Sequence, residues 1–582
     1  MKSLTRLGCY SRILPAVPCL LLLMACSSAG QTEARPTYPQ IVCTRFASGD
    51  PSIPAYIRQA LAIQPKTQVR DAQHRLWQAS ANGLVEVDSA REKRIWTGKD
   101  GLPILSLTGI ALGPDGRLWL ATRQGAVCLQ PDAPPGEQWF YFWGKRYLSD
   151  NRVLQIVAER DGAWIRTETG ISRIEFQPFD LERKSDLFIE RLQSRHNRYG
   201  YTADCELLRP GDTSSFRMAP SDNDGLWTAI YVASECFRFA VTHSPEALRN
   251  ARTSLAALLR LESITGISGF PARALIRRGD YRAPEGEWHW TSDGQWEWKG
   301  DTSSDELVGH FFAYAVAYDL LPDDPQREAI RRTAGQIAAH LLDHGLQLVG
   351  PGGRVTTWGS YTQAYFQSAE GKEDAALNSL ELLSHLRVAF HITREERFLR
   401  AYHQLIRERG YLENVMRIAQ RSEINYSDEE LAFLSFYPLL RYEDDPQLRA
   451  QFQAALKSYW HACDAEQNPL WNFIYAAGTG ASDYDARQSL ETLERIPLDT
   501  VFWTVQNSQR IDLPRAPSTD RFSEKQSLRA IPPNERCVMK WNGNPFQLDC
   551  KSEGRNEDDG AFSLLPYWLG RYHELLTPQF DK

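Results

Sequence analysis

Residues 224–263 read DGLWTAIYVASECFRFAVTHSPEALRNARTSLAALLRLES. Up to His243 the run is apolar on nearly every side, so a helix built from it has no wet face and must be enclosed. Ser244-Pro245 then starts a second helix, because a serine satisfies first-turn amides and proline fits the first helical position. That second member carries Arg249, Arg252 and Arg260 between its apolar residues, the pattern of a helix with one side in water. The same pairing recurs at 302–321 with 323–345, at 374–393 with 395–409, and at 427–442 with 446–463. Further helical segments fall at 470–477, 485–494 and 561–575. Enclosed helices alternating with amphipathic ones predict an inner and an outer ring of roughly five or six hairpins, an all-helical (α/α) toroid or barrel.

Upstream the period changes. HRLWQASANGLV (74–85), GRLWLATRQGAV (116–127) and GAWIRTETGI (162–171) align, with Trp77, Trp119 and Trp164 spaced 42 and 45 residues apart. Short alternating strands at that period, separated by Asp-Gly turns, predict propeller blades. The three copies fall short of the ~4 blades of a closed propeller, so a partial β-propeller is expected. The chain is thus read as multidomain: 1–25 a leader, 26–59 a linker, 60–180 partial propeller repeats, 181–220 a connector and 221–582 the toroid, taken as catalytic.

The first 26 residues hold Lys2, Arg6 and Arg12, the apolar run Leu20–Leu23, and then Met24-Ala25-Cys26. Basic residues, a short apolar core and a small residue before a cut describe a secretion signal, and the run is too short to span a membrane. Leu-x-Ala-Cys resembles a bacterial lipobox, which implies acylation at Cys26, a lipid anchor, and an outer-membrane or periplasmic location. Losing the three leader cations takes the formal charge from −7 to −10, which argues against nucleic acid as a partner. Of the cysteines beyond Cys26, Cys537 and Cys550 flank a WNGNP turn and could close a local bridge. No CxxC is present, so neither a redox pair nor a zinc cluster is indicated.

The chemistry-bearing stretch is WKGDTSSDELVGHFFAY, residues 298–314. Ser303-x-x-Glu306 has the spacing of a capping box, and Asp301 and Asp305 suit the start of a helix. Capping does not account for His310 and Tyr314. At 100° per residue they share an arc with Glu306, Ala313 and Ala317, while bulky apolar residues occupy both flanks. That arc is expected to face a polar lumen. Other stretches pair Trp, Asn or Arg with a helix start: Asp224 and Trp227, Arg273 in GFPAR, Trp358 in TTWG, Asn378, Trp471 and Asn472, and Arg571. Packing and capping explain any one of them, but not their recurrence on nearly every inner helix. Aromatic platforms with amide and guanidinium groups suit sugar rings.

Two reactions compete on these residues. β-Elimination at a uronate needs a cation on the carboxylate, a base for the C5 proton and an acid for O4, for which Arg273 (or Arg571), His310 and Tyr314 are available. Inverting hydrolysis needs two carboxylates ~6.5–9.5 Å apart, for which Asp222 or Asp224 and Asp301 or Asp305 are available. A third reading, a non-catalytic glycan-binding lipoprotein, fits a deep lumen poorly. No nucleotide loop, HExxH or GxSxG occurs. No cofactor is required; Ca²⁺ bridging a uronate is chemically admissible, though no EF-hand-like loop supports it and no metal ligands are assigned.

The combination of repeats with DNDGLWT, GFPAR, WKGDTSSDE-x-x-GH and LLPYW-x-x-RYH resembles a group of secreted bacterial proteins similar to L-rhamnose-α-1,4-D-glucuronate lyases. The resemblance covers residues 60–580. It implies a polysaccharide lyase that removes rhamnose from rhamnosyl-glucuronate caps of arabinogalactan, with an acidic plant or algal polysaccharide as partner. It carries His310, Tyr314 and Arg273 over as catalytic positions. The propeller is short here, which puts a binding role for that region in doubt.

Overall fold

The computed structural model describes residues 37–576 apart from 89, 91, 135–136, 283, 324, 421–423 and 518–524. The leader and Cys26 lie outside the described residues.

The N-terminal region is rich in strands. β1 (Tyr38–Phe46) is followed by helix α1 (Ala55–Ala62) and three runs of antiparallel strands. The first run is β2 (Gln68–Arg70), β3 (Leu76–Ser80), β4 (Gly83–Val87) and β5 (Lys93–Trp96). The second is β6 (Leu107–Leu112), β7 (Leu118–Thr122), β8 (Gly125–Leu129) and β9 (Trp139–Phe142), and the third is β10 (Val153–Glu159), β11 (Gly162–Thr167) and β12 (Ile171–Phe179). Each of the first two makes a four-stranded sheet in sequence order, and the third is completed by β1 beside β12. The repeated tryptophans occupy β3, β7 and β11 and are buried. The repeated glycines follow from close approach: a Cβ on Gly83 or Gly125 would lie 2.4 or 2.5 Å from a carbonyl of the next strand.

The segment read as a linker therefore supplies a strand and a helix. β1 pairs in full register with a strand more than a hundred residues away, from Tyr38 opposite Phe179 to Phe46 opposite Ile171, and local sequence carries no signal for such a pairing.

The C-terminal region is helical. After α2 (Leu181–Arg191) come α3 (Asp224–Thr242), α4 (Pro245–Ser263), α5 (Ser304–Leu320), α6 (Pro325–Asp343) and the short α7 (Gln363–Phe366). Then follow α8 (Ala375–Thr393), α9 (Glu396–Glu408), α10 (Tyr411–Val415), α11 (Tyr426–Tyr442), α12 (Pro446–Cys463), α13 (Pro469–Thr479), α14 (Ala486–Arg495) and α15 (Ala561–Tyr572). α3 packs on α5, α5 on α8, α8 on α11, α11 on α13, α13 on α15, and α15 returns to α3. These are the helices whose residues are buried nearly all round. The amphipathic α4, α6, α9, α12 and α14 lie against them, and one apolar cluster runs through the whole set.

Two stretches differ from the reading above. Residues 181–220 are not a plain connector but hold α2 and the strands Asp204–Leu207 and Phe216–Ala219. The described parts of 497–560 hold strands, loops and two 3₁₀ turns inserted before the last helix, and Val501–Gln506 and Asp549–Glu557 join those two strands in one sheet. Cys537 and Cys550 form a disulfide within this insertion.

The same sheet carries a buried ionic knot. Glu557 accepts from Arg195 at 2.7 and 2.8 Å, with His196 at 3.3 Å and Arg191 at 3.4 Å. Burial alone would raise its pKa, but hydrogen bonds from Arg195 and His196 and the charge of Arg191 hold it down to about 2. A carboxylate depressed from an unfolded 4.5 stabilises the fold above pH 4.5 and loses that contribution as pH falls toward 2. The difference is on the order of 3 kcal/mol. Urea titrations across this window are expected to show a steep acid loss of stability that Glu557→Gln flattens.

Candidate active site

A cavity of about 270 Å³ opens where the N-terminal ends of α3, α5, α8 and α11 converge. The convergence is visible in its lining. Asn223 precedes α3, Ser304 and Asp305 begin α5, Asp374 and Asn378 flank the start of α8, and Asn425, Ser427 and Asp428 start α11. Only Asn425 accepts from an amide of its own helix, that of Ser427; the other polar side chains bond chiefly to one another. Asp428 accepts from Asn425 Nδ2 at 2.8 Å, and Asp305 accepts from Ser303 Oγ at 2.8 Å and Asn223 Nδ2 at 3.3 Å. Asp374 accepts from the Tyr365 hydroxyl at 2.6 Å.

Three aromatic residues, Trp227, Trp358 and Tyr365, supply ring surface. Arg273 lines one wall, its guanidinium spent on the Asp222 carbonyl (2.8 Å), the Asp301 carbonyl (3.2 Å) and Asn223 Oδ1 (2.8 Å). It therefore pins the loop before α3 to the loop before α5. Asn542, from the disulfide-closed segment, completes the lining.

Glu430 differs from the other carboxylates. It sits one turn inside α11, is 2% exposed and still reaches the cavity. Burial pushes its pKa up to about 8, against the pull of Lys540 and with help from Asp305 and Asp558. At neutral pH it is thus a carboxylic acid able to give a proton. Lys540 stands behind it, 4.5 Å from the Trp227 ring centre and 3.7 Å from Asp558 Oδ2. Burial works against the lysine's charge, but Asp558, Asp204 and Asp559 more than offset this and raise its pKa.

Arg273, Trp227, Trp358, Asn378 and Asp305 are the residues anticipated from sequence that the structure brings together here. Others stand elsewhere. Asp224 is buried behind the cavity, held by Arg198 at 2.5 Å and by Ser221 at 2.8 and 2.9 Å, and burial raises its pKa to about 6. Asp222 pairs with Lys299, and Asp301 accepts from the Thr357 amide and hydroxyl at 2.7 and 2.9 Å. Trp471 stacks on Phe433 and donates to Glu466 at 3.0 Å. Asn472 bridges Trp460 and Ser489 at 2.8 Å each, and Arg571 bonds Tyr567 at 2.8 Å and Glu182 at 3.4 Å.

His310 and Tyr314 are fully buried on α5, with His310 Nδ1 2.9 Å from the Tyr314 hydroxyl. Burial lowers the His310 pKa to about 3 and raises that of Tyr314. The arc they share with Glu306 faces Gly225 of α3: a Cβ there would lie 1.9 Å from Glu306 Oε2 and 3.2 Å from His310 Nε2. Glu306 accordingly does not close a capping box, and the Ser303 hydroxyl turns to Asp305 and Asn223 instead.

Sequence reasoning passed over Glu430, Asp374, Asp428, Tyr365, Asn425 and Asn542. The signal for Glu430 was present, since an acid inside an otherwise enclosed helix needs a polar neighbour.

No family model matches this chain, and no curated protein does. Among solved structures, a protein described as the extracellular domain of a hybrid two-component system from B. thetaiotaomicron matches with 22% identity and a TM-score of 0.17, covering 20% of this chain and 16% of that one. A sugar epimerase from a ruminal bacterium matches with 10% identity and a TM-score of 0.35, over 66% of this chain and 97% of that one. A metagenome-derived glycoside hydrolase family 9 endoglucanase matches with 11% identity and a TM-score of 0.30, over 81% of this chain and 98% of that one.

Proposed function

We propose that the helical region is an (α/α) toroid preceded by a partial propeller, and that its cavity binds a sugar and hydrolyses a glycosidic bond. The observation that carries this reading is Glu430, a buried, protonated carboxyl group lining a cavity that also holds Asp305 and three aromatic rings. Glu430 gives its proton to the departing glycosidic oxygen. Asp305, fixed by Ser303 and Asn223, orients the attacking water and takes its proton. Trp227, Trp358 and Tyr365 stack on the sugar and keep bulk water out.

A second reading, elimination from a rhamnosyl-glucuronate, draws on Arg273 in the cavity wall as the cation for a uronate carboxylate. The cavity's other carboxyl groups, Asp305, Asp374 and Asp428, weigh against an anionic ring. Elimination through His310 and Tyr314 further requires substrate to reach the α3–α5 contact. Lipid anchoring at Cys26 and an outer-membrane location remain part of the proposal, on the sequence alone.

The test is to incubate residues 27–582 with gum arabic and with neutral glycans, following reducing ends and the ultraviolet band of an unsaturated uronate. Hydrolysis releases reducing ends without the band. Appearance of the band replaces this reading with elimination, and silence across the panel removes both.

A further inference from the structure

The two most exposed tryptophans of the described residues, Trp290 at 54% and Trp358 at 55%, belong to one rim. The strands Ala274–Arg277, Trp288–Trp290 and Trp296–Lys299 form a small antiparallel sheet. In its register Trp288 lies opposite Lys299 and Trp290 opposite Glu297. Directly opposed residues share a face, so both indoles stand on the outer side with Lys299 and Glu297. His289 and the buried Trp298 take the inner side, their rings 4.4 Å apart.

Each outer indole has a guanidinium beside it. Arg282 lies 4.7 Å from the Trp288 ring centre and bonds Glu297 at 2.8 Å, and Arg278 lies 5.8 Å from the Trp290 ring centre.

This face is continuous with the cavity. Lys299 pairs with Asp222, whose carbonyl accepts from the cavity residue Arg273. A second hairpin, Gln347–Val349 with Val355–Ser360, carries Trp358 at the cavity lip. It is fastened to the first by Arg354 to Glu287 at 2.7 Å and by Asp301 to Thr357. Two indoles on a strand's wet side add no core, and rigid aromatic rings with a polar edge are what recognition surfaces retain. Forked donors and a carboxylate stand beside the rings: Arg282 with Glu297 at Trp288, and Arg278 at Trp290. That alternation matches the ring faces and hydroxyl edges of linked sugars.

We propose that Trp288 and Trp290 continue, beyond Trp358 at the cavity lip, a run of stacking positions that holds the polysaccharide chain outside the cavity. The inference rests on the cavity being a glycan-cleaving site.

Native electrophoresis in gels containing gum arabic or a soluble neutral β-glucan tests it. Wild-type protein should be retarded by at least one polysaccharide. The Trp288→Ala/Trp290→Ala variant, altered only on a wet face, should need tenfold or more polysaccharide for the same retardation. Glu430→Gln should be retarded like wild type. Equal retardation of the double variant overturns the proposal, as does a wild-type protein that no gel retards, the result expected if the rim instead docks a protein. Failure of the catalytic reading shows separately, as Glu430→Gln cleaving at the wild-type rate.

Discussion

Glu430→Gln lowers the turnover of the cleaved glycan by about 10²- to 10⁴-fold, the contribution of a positioned proton donor. The amide keeps the size and hydrogen-bonding of the acid, so the melting temperature stays near the wild-type value. Glu430→Asp retains a donor on a shorter arm and falls between the two. The pH profile carries the sign. Glu430 is pushed up to about 8 from the ordinary glutamate value, so its acid form prevails below pH 8 and disappears above it. Activity is expected to hold through neutrality and decline on the alkaline side. Because Lys540 pulls that pKa down, Lys540→Met moves the alkaline limb to higher pH. A wild-type rate in Glu430→Gln sinks the assignment, and so does an alkaline limb that ignores Lys540.

The second large effect is on stability. Gly309 lies on α5 where it meets α3, and a Cβ there would come 2.6 Å from the Leu226 Cα. Backbone cannot swing aside as a side chain can, so Gly309→Val is expected to cost about 3 kcal/mol or more in chemical denaturation. The matching glycine on α3 behaves differently. The obstacle at Gly225 is the end of the Glu306 side chain, so Gly225→Ala should be partly rescued by Glu306→Ala, whereas Gly309→Val should not. Additivity in the Gly225/Glu306 cycle, or a silent Gly309→Val, would mean that the two helices do not meet as described.

These two sites show how far the sequence could be read. Helix pairing was legible because an enclosed helix and a half-wet one differ in composition, and the Trp repeats were legible because each blade-like unit needs the same buried indole. Trp227, Trp358, Asn378 and Arg273 stood out as residue types that sugars need near helix starts. The facing of His310 was not legible. Helical periodicity places Glu306, His310 and Tyr314 on one arc, but only packing decides whether that arc turns to a lumen or to a neighbour. Here Gly225 lets α3 close over it. Glu430 was legible as an acid inside an enclosed helix, but packing alone decides whether its polar neighbour is a cavity or an ion pair. The pairing of β1 with β12 lies beyond any local pattern, since both strands read as ordinary strands wherever they pair.

The segment between Cys537 and Cys550 places Lys540 beside Glu430 and Asn542 in the cavity wall. Its ends are joined by a covalent bond that forms where thiols are oxidised. The shape of this wall is thereby tied to an oxidation: with both thiols reduced, the loop that carries Asn542 is no longer closed on itself. Material made without an oxidising step would carry every residue of the cavity without that covalent closure.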